Sequence, residues 1–203
     1  MTRPTSPVYL EQGSTHVFAV SLDWPGWCRT ARSVDAALDA LDAYRRRYAA
    51  VVGPRFTPGD LEVVGTVTGN RTTDFGAPDA RGPWDESPLP ADELRRQVGI
   101  LGATWIAFDA VVAAAPELLA KGPRGGGRDR DGIVAHVQEA ERAYGRKVGI
   151  RVPPRTPWDE QRDAISGAIL AAPTDTSWPL GYALRRLAWH VLDHAWEIED
   201  KSG

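Results

Sequence analysis

Four histidines occur among the 203 residues, and two of them, His190 and His194 in Arg-Leu-Ala-Trp-His-Val-Leu-Asp-His, are four apart. On a helix that spacing puts both imidazoles on one face, a turn from each other, where they can share one metal ion. Leu184, Leu187, Val191 and Ile198 mark an apolar stripe along the same stretch, and the pair lies within or beside it. His136 falls beside Val137 in a second stripe made by Ile133, Val137, Ala140 and Tyr144. Three imidazoles are therefore directed at one core. Each neutral imidazole carries one donor and one acceptor nitrogen, so three of them in an apolar interior are costly without a common partner. One divalent cation on His136, His190 and His194 solves that. Three protein nitrogens with positions left open for water or substrate make a catalytic rather than a closed structural site. Against this stands the plainer reading, in which a histidine on an apolar face is a hydrogen-bonded core residue.

Carboxylates follow each of these histidines at i+3: Glu139, Asp193 and Glu197. They can orient the imidazoles, and Glu139 is the candidate general base for a metal-bound water. Asp193 and Glu197 read first as solvated helix faces. A carboxylate-rich di-iron site is disfavoured, because its Glu-x-x-His order is reversed here. Arg185 and Arg186, one turn before the pair, could bind an anionic group, though the simpler reading makes them surface charges. His16 reads as structural, and Cys28, the only cysteine, excludes an intrachain disulfide and a cysteine-rich zinc site.

The elements that must position these residues fall into two parts. Residues 1–67 read as a small α+β domain with the order β-β-α-β. Val8–Leu10 and His16–Leu22 form two strands around Glu11-Gln12-Gly13-Ser14, and Leu61–Val67 forms a third. Between them Ser33 is an N-cap, Asp35 favours the first turn, and Val34, Ala37, Leu38, Leu41, Tyr44 and Tyr48 recur at helical spacing before Gly53-Pro54. Residues 68–88, rich in Gly, Asn, Thr, Asp and Pro, read as a linker. Residues 89–203 then carry only helical signals, over Ala91–Ala115, Asp131–Val148, Pro157–Ala171 and Ser177–Lys201. Joined by Pro/Gly-rich connections, these fit an all-α antiparallel four-helix bundle. Gly125-Gly126-Gly127 is expected to be a mobile loop, since it lacks the strand and Lys-Ser/Thr of a phosphate-binding turn.

A formal net charge of −3 and the lack of a dense Lys/Arg block make nucleic acid an improbable partner. The N-terminal residues have no apolar signal core and no run approaches the roughly 18 apolar residues that span a bilayer, so the expected setting is cytoplasmic, without membrane association.

The order of the ligands resembles the DinB/YfiT-like bundle superfamily. The resemblance covers about residues 89–201 and rests on His136, in Asp-Gly-Ile-Val-Ala-His-Val-Gln-Glu-Ala-Glu-Arg-Ala-Tyr, on the later His-x-x-x-His pair, and on helix order. It implies a three-His site for zinc first, with nickel or iron as alternatives, and frequent homodimerisation. It also implies a metal-dependent S-transferase that uses a low-molecular-weight thiol of the mycothiol or bacillithiol kind, or a hydrolase, in a bacterial protein. The stretch from His136 to His190 is short for that family. Residues 8–67 resemble the HicB-like antitoxin fold through Val17-Phe18-Ala19-Val20-Ser21-Leu22-Asp23-Trp24-Pro25-Gly26-Trp27 and the helix opening Ser33-Val34-Asp35-Ala36-Ala37. That implies a small sheet that docks a partner or self-associates. Two functions follow: a metal-dependent enzyme acting on a small-molecule substrate or thiol, or a non-catalytic, metal-stabilised protein-interaction module.

Overall fold

Alternating apolar residues in the first strands create a sheet with two buried faces. The computed structural model describes residues 4–121 and 127–202, so Gly125 and Gly126 of the expected mobile loop lie outside the described residues. Strands β1 (Thr5–Gln12), β2 (Val17–Ser21), β3 (Cys28–Ala31) and β4 (Asp60–Thr68) form one mixed sheet in the order β3-β2-β1-β4. The pairs β1–β2 and β2–β3 are antiparallel, whereas β1 and β4 run parallel with a register shift between Val8 and Tyr9. A parallel pair needs a crossover. Helices α1 (Val34–Ala43) and α2 (Arg45–Val52) supply it.

The expected β-β-α-β order is corrected in two places. Cys28–Ala31 is a strand that four residues of mixed polarity do not announce, held by its pairing with Val17–Val20. The single helix expected up to Gly53 is two, parted at Tyr44. Ser33 does cap α1, accepting from the Ala36 amide. Val8, Leu10, Val17 and Ala19 point to Ala37, Leu41, Tyr48 and Trp27 on one face, and Tyr9, Phe18 and Val20 line the other with Cys28 and Trp189.

The segment 68–88 is more ordered than its composition implies. Asn70 caps the short helix α3 (Arg71–Phe75), and buried Glu11 accepts from the Thr73 hydroxyl at 2.5 Å and the Asp79 amide at 2.8 Å. Trp84 lies over Tyr9 with ring centroids 4.6 Å apart.

The rest of the chain is mostly helical: α4 (Ala91–Ala114), α5 (Arg130–Gly145), α6 (Trp158–Leu170) and α7 (Leu180–Lys201). Helices α4, α6 and α7 each begin directly after a proline, whose fixed φ and missing N–H suit a helix start. Leu94, Val98, Leu101, Trp105 and Phe108 of α4 meet Ile133 and Val137 of α5, Ile165 and Ile169 of α6, and Leu184, Leu187, Val191 and Ile198 of α7. By length and composition α4 could cross a membrane, with a mean hydropathy of 1.5 over its best window, but the apolar face just named is committed to this core.

Helix α7 joins the two parts. Its opposite flank carries Trp189, Leu192 and Trp196 into the cores beneath the sheet. Gly26, at φ +91°, is required there: a Cβ would stand 2.9 Å from Leu192 Cδ1 and 3.2 Å from the Ala188 backbone. Ion pairs tie the same seam, Arg29 to Asp193 at 3.1 Å and Arg47 to Glu199 at 2.6 Å. The whole is α+β, a mixed four-stranded sheet followed by a helical region.

Candidate metal centre

On α5 the inward positions are Ile133, Val137 and Glu141, so His136 stands at the edge of that stripe and is half-buried. On α7, Leu187 and Val191 anchor the stripe that turns His190 inward, where it is only 7% exposed. His194, one turn on, is half-buried. The structure brings all three together. The ring centroids of His136 and His190 are 5.0 Å apart, those of His136 and His194 4.9 Å, and those of His190 and His194 4.7 Å. One ring nitrogen from each lies within 4.8 Å of the other two.

The closest approach is Nε2 to Nε2, 3.2 Å between His190 and His136. Two nitrogens on one tetrahedral zinc, at 2.0–2.1 Å from it, would be separated by about 3.3 Å. The spacing of that pair therefore fits a shared ion, and three imidazoles form a donor set for zinc, copper, iron or nickel. His194 Nδ1 donates to Glu197 at 2.7 Å, which fixes its tautomer and leaves Nε2 free for a ligand. Glu197 also takes the Lys201 ammonium, and the hydrogen bond from His194 leads the causes that pull its carboxyl down to about 2. It is thus a built acceptor and not the solvated face expected. Asp193 pairs with Arg29 of β3 while its side chain stays 40% exposed.

Burial, and then the neighbouring imidazoles, push His190 down to about 2, and burial lowers His136 as well. Both are neutral, the state a metal requires. His190 Nδ1 is buried without a hydrogen-bond partner. A cation on Nε2 completes one nitrogen of that ring and leaves the other as it is.

No family model, curated protein or solved structure matches this chain.

The remaining expected residues are placed as follows. Glu139 is exposed on α5 and reaches His136 only as a nearby charge that raises its pKa. His16 precedes β2, its Nδ1 3.0 Å from the Thr15 hydroxyl. Cys28 is buried against the far side of α7 with its thiol pushed well up by burial. Arg185 and Arg186 are not surface charges, being 6% and 8% exposed. Arg185 pairs with buried Asp85, whereas no carboxylate pairs with Arg186 among the described residues. Tyr144, read from the sequence as core, stands edge-on to His190 with centroids 5.6 Å apart and lies tilted against Trp178 at 5.1 Å. Its place in the apolar stripe, three residues past Glu141, gave no sign that it walls the histidines.

Proposed function

We propose that this protein is a metal-dependent enzyme of the DinB/YfiT-like type, a thiol S-transferase or hydrolase whose centre is His136, His190 and His194. The observation that carries the reading is the convergence of three imidazoles, from two helices, with a ring nitrogen of each within 4.8 Å of the others and one pair at 3.2 Å. The packing of α4, α5, α6 and α7 around one core supports a four-helix bundle of that type; the setting we propose for it is cytoplasmic. Zinc is the favoured metal, with nickel or iron as alternatives. When bound, such an ion supplies Lewis acidity that makes a thiol or a water a nucleophile near neutral pH.

The chain's own part is to hold and orient. His194 is aligned by Glu197, which is itself held by Lys201. Tyr144, backed by Trp178, walls one side of His190. Glu139, exposed beside His136, is the candidate to receive a proton from an incoming nucleophile. The sulfur of a thiol reaction comes from a low-molecular-weight thiol, because Cys28 is buried and faces away from the histidines.

A second reading, a metal-stabilised interaction module with a HicB-like docking or homodimerisation domain, is favoured by one observation. Strand β4 is a sheet edge whose Val63 and Val64 are 44% and 45% exposed, a template for pairing with another chain.

The deciding experiment measures metal in untagged wild type and in His190→Ala, then titrates a small thiol into the cobalt-substituted protein. Stoichiometric metal lost in the variant, with a thiolate-to-cobalt absorption band, supports the thiol enzyme. Metal without thiol binding favours the hydrolase or the interaction module, and no metal after reconstitution overturns the centre.

A further inference from the structure

Arg128 stands just before Asp129, the N-cap of α5, and is exposed. Its stem is laid along the helix. A Cβ placed on Gly132 would meet Arg128 Cβ at 3.4 Å, Cγ at 3.8 Å and Cδ at 3.9 Å, so the stem crosses that glycine. Gly132 is itself exposed, and it lies four residues before His136, on the same face of α5 and about 6 Å away along the axis. The stem is therefore berthed on an open ledge that leads to a histidine of the centre. The charge at its end acts on His136 and also on His190, which belongs to another helix. A charge felt by histidines of two helices stands beside the triad itself.

The other charges around the centre are mostly taken. Glu197 holds His194 and Lys201, Asp193 takes Arg29, Asp129 takes Lys121, and Arg130 takes Asp131. Arg186, the second guanidinium felt by His190, is 8% exposed and lies against Tyr144 and Trp189. Among the described residues none pairs with Arg128, and its donors face solvent. Three neutral imidazoles would leave a bound divalent ion its full charge, so ion and guanidinium repel until an anion comes between them.

We infer that Arg128 is the specificity-determining residue of the centre: it selects acidic thiols, receiving the carboxylate of a small mercapto acid whose sulfur is turned to the three histidines. This rests on the thiol-enzyme reading. The planar fork of a guanidinium matches a carboxylate through two parallel hydrogen bonds, which a neutral thiol of the same size does not offer.

The test titrates mercaptopropionate and, in parallel, mercaptoethanol into cobalt-substituted full-length protein at low ionic strength. The thiolate-to-cobalt absorption band is the readout, affinities are compared at equal thiolate concentration, and cobalt content is measured on every sample. Wild type is expected to bind the acidic thiol about tenfold more tightly, the worth of one charge-assisted contact. Arg128→Gln should abolish that preference while keeping its full cobalt and its mercaptoethanol affinity, and Arg128→Lys should retain part of it. Gly132→Leu, which fills the berth of the stem, should lower the preference with the arginine still present. Equal affinities in wild type overturn the proposal. A preference that survives Arg128→Gln places the carboxylate on the metal or on another cation and overturns it as well. Should Arg128→Gln fail to fold by circular dichroism, Gly132→Leu and Arg128→Lys decide, and an unchanged preference in both counts against the proposal. Cobalt uptake without a thiolate band overturns this selection and leaves the metal centre standing, whereas a wild type that takes up no cobalt sinks both.

Discussion

Two polar clusters lie inside the helical region, five positions apart on α5. At Glu141 the interior brings opposite charges together: Arg162 stands 3.5 Å from it, Trp158 Nε1 donates to it at 2.5 Å, and Arg162 continues to Asp109 at 2.7 Å. At His136 the interior brings three groups of one kind together, each with a nitrogen turned to the others. The first cluster contains its own counter-charge, although Glu141 Oε1 and Arg162 Nε and Nη2 are buried there without hydrogen-bond partners. The second repels itself when protonated and is incomplete when neutral. Burial alone therefore does not mark a site, and neither do unpartnered polar atoms; what sets the histidines apart is burial of like groups with no counter-charge among them.

That contrast breaks most sharply at His190. His190→Ala is expected to abolish stoichiometric metal binding, by plasma emission on dialysed protein, while Glu141 variants retain it. Removing metal from wild type with a chelator should lower the unfolding free energy by about 4 kcal/mol if the free ion had stood near a thousand times its Kd. Glu141→Ala leaves Arg162 its pairing with Asp109 but removes the acceptor of Trp158, and should cost about 1–3 kcal/mol in denaturant unfolding with no loss of metal. If the two clusters exchange these behaviours, the assignment of one as structural and the other as a site is wrong.

Smaller effects sharpen the same comparison. Glu197→Gln weakens the acceptor behind His194 and should reduce metal affinity about 10- to 100-fold by competition with a chromophoric chelator. The gentlest probe is pH. Burial raises the Glu141 carboxyl above its usual value, so the folded state holds a proton that the unfolded chain releases. Its contribution is greatest below the unfolded value near 4.5 and is lost as pH rises through the folded one. Glu141→Gln should accordingly flatten the fall in melting temperature over that window, and an unchanged pH profile would count against a raised carboxyl.

Much of this was legible in the sequence because period and chemistry coincided. The His190/His194 spacing, the stripe through Leu184, Leu187 and Val191, and the stripe beside His136 predict the same interior, and the three rings do meet. The Ser33 cap was readable for the same local reason. What was hidden depended on a second neighbour. Helix α7 is buried on nearly all sides between Tyr182 and Leu192, yet a one-sided stripe leaves Arg185, Arg186 and Trp189 facing solvent until the sheet is placed against them. Strand β3 owes its existence to β2, and the order in 68–88 to Glu11, fifty-seven residues before the first of them. The roles of Glu197 and Asp193 differ through partners the i+3 rule does not show: Lys201 in one case and Arg29 in the other.

The double burial of α7 makes the chain a poor candidate for dissection. A cut anywhere in 68–88 would uncover Trp189, Leu192 and Trp196 on the helix that carries two of the three imidazoles, and would strip the sheet of part of its own floor. Whatever seats or unseats the sheet must therefore shift the rigidity of His190 and His194, and an ion gripping those rings must in turn stiffen the sheet. Loading the centre should slow amide exchange in β1 and β2, strands that contribute no ligand, so that the far layer of the protein reports on events it never touches.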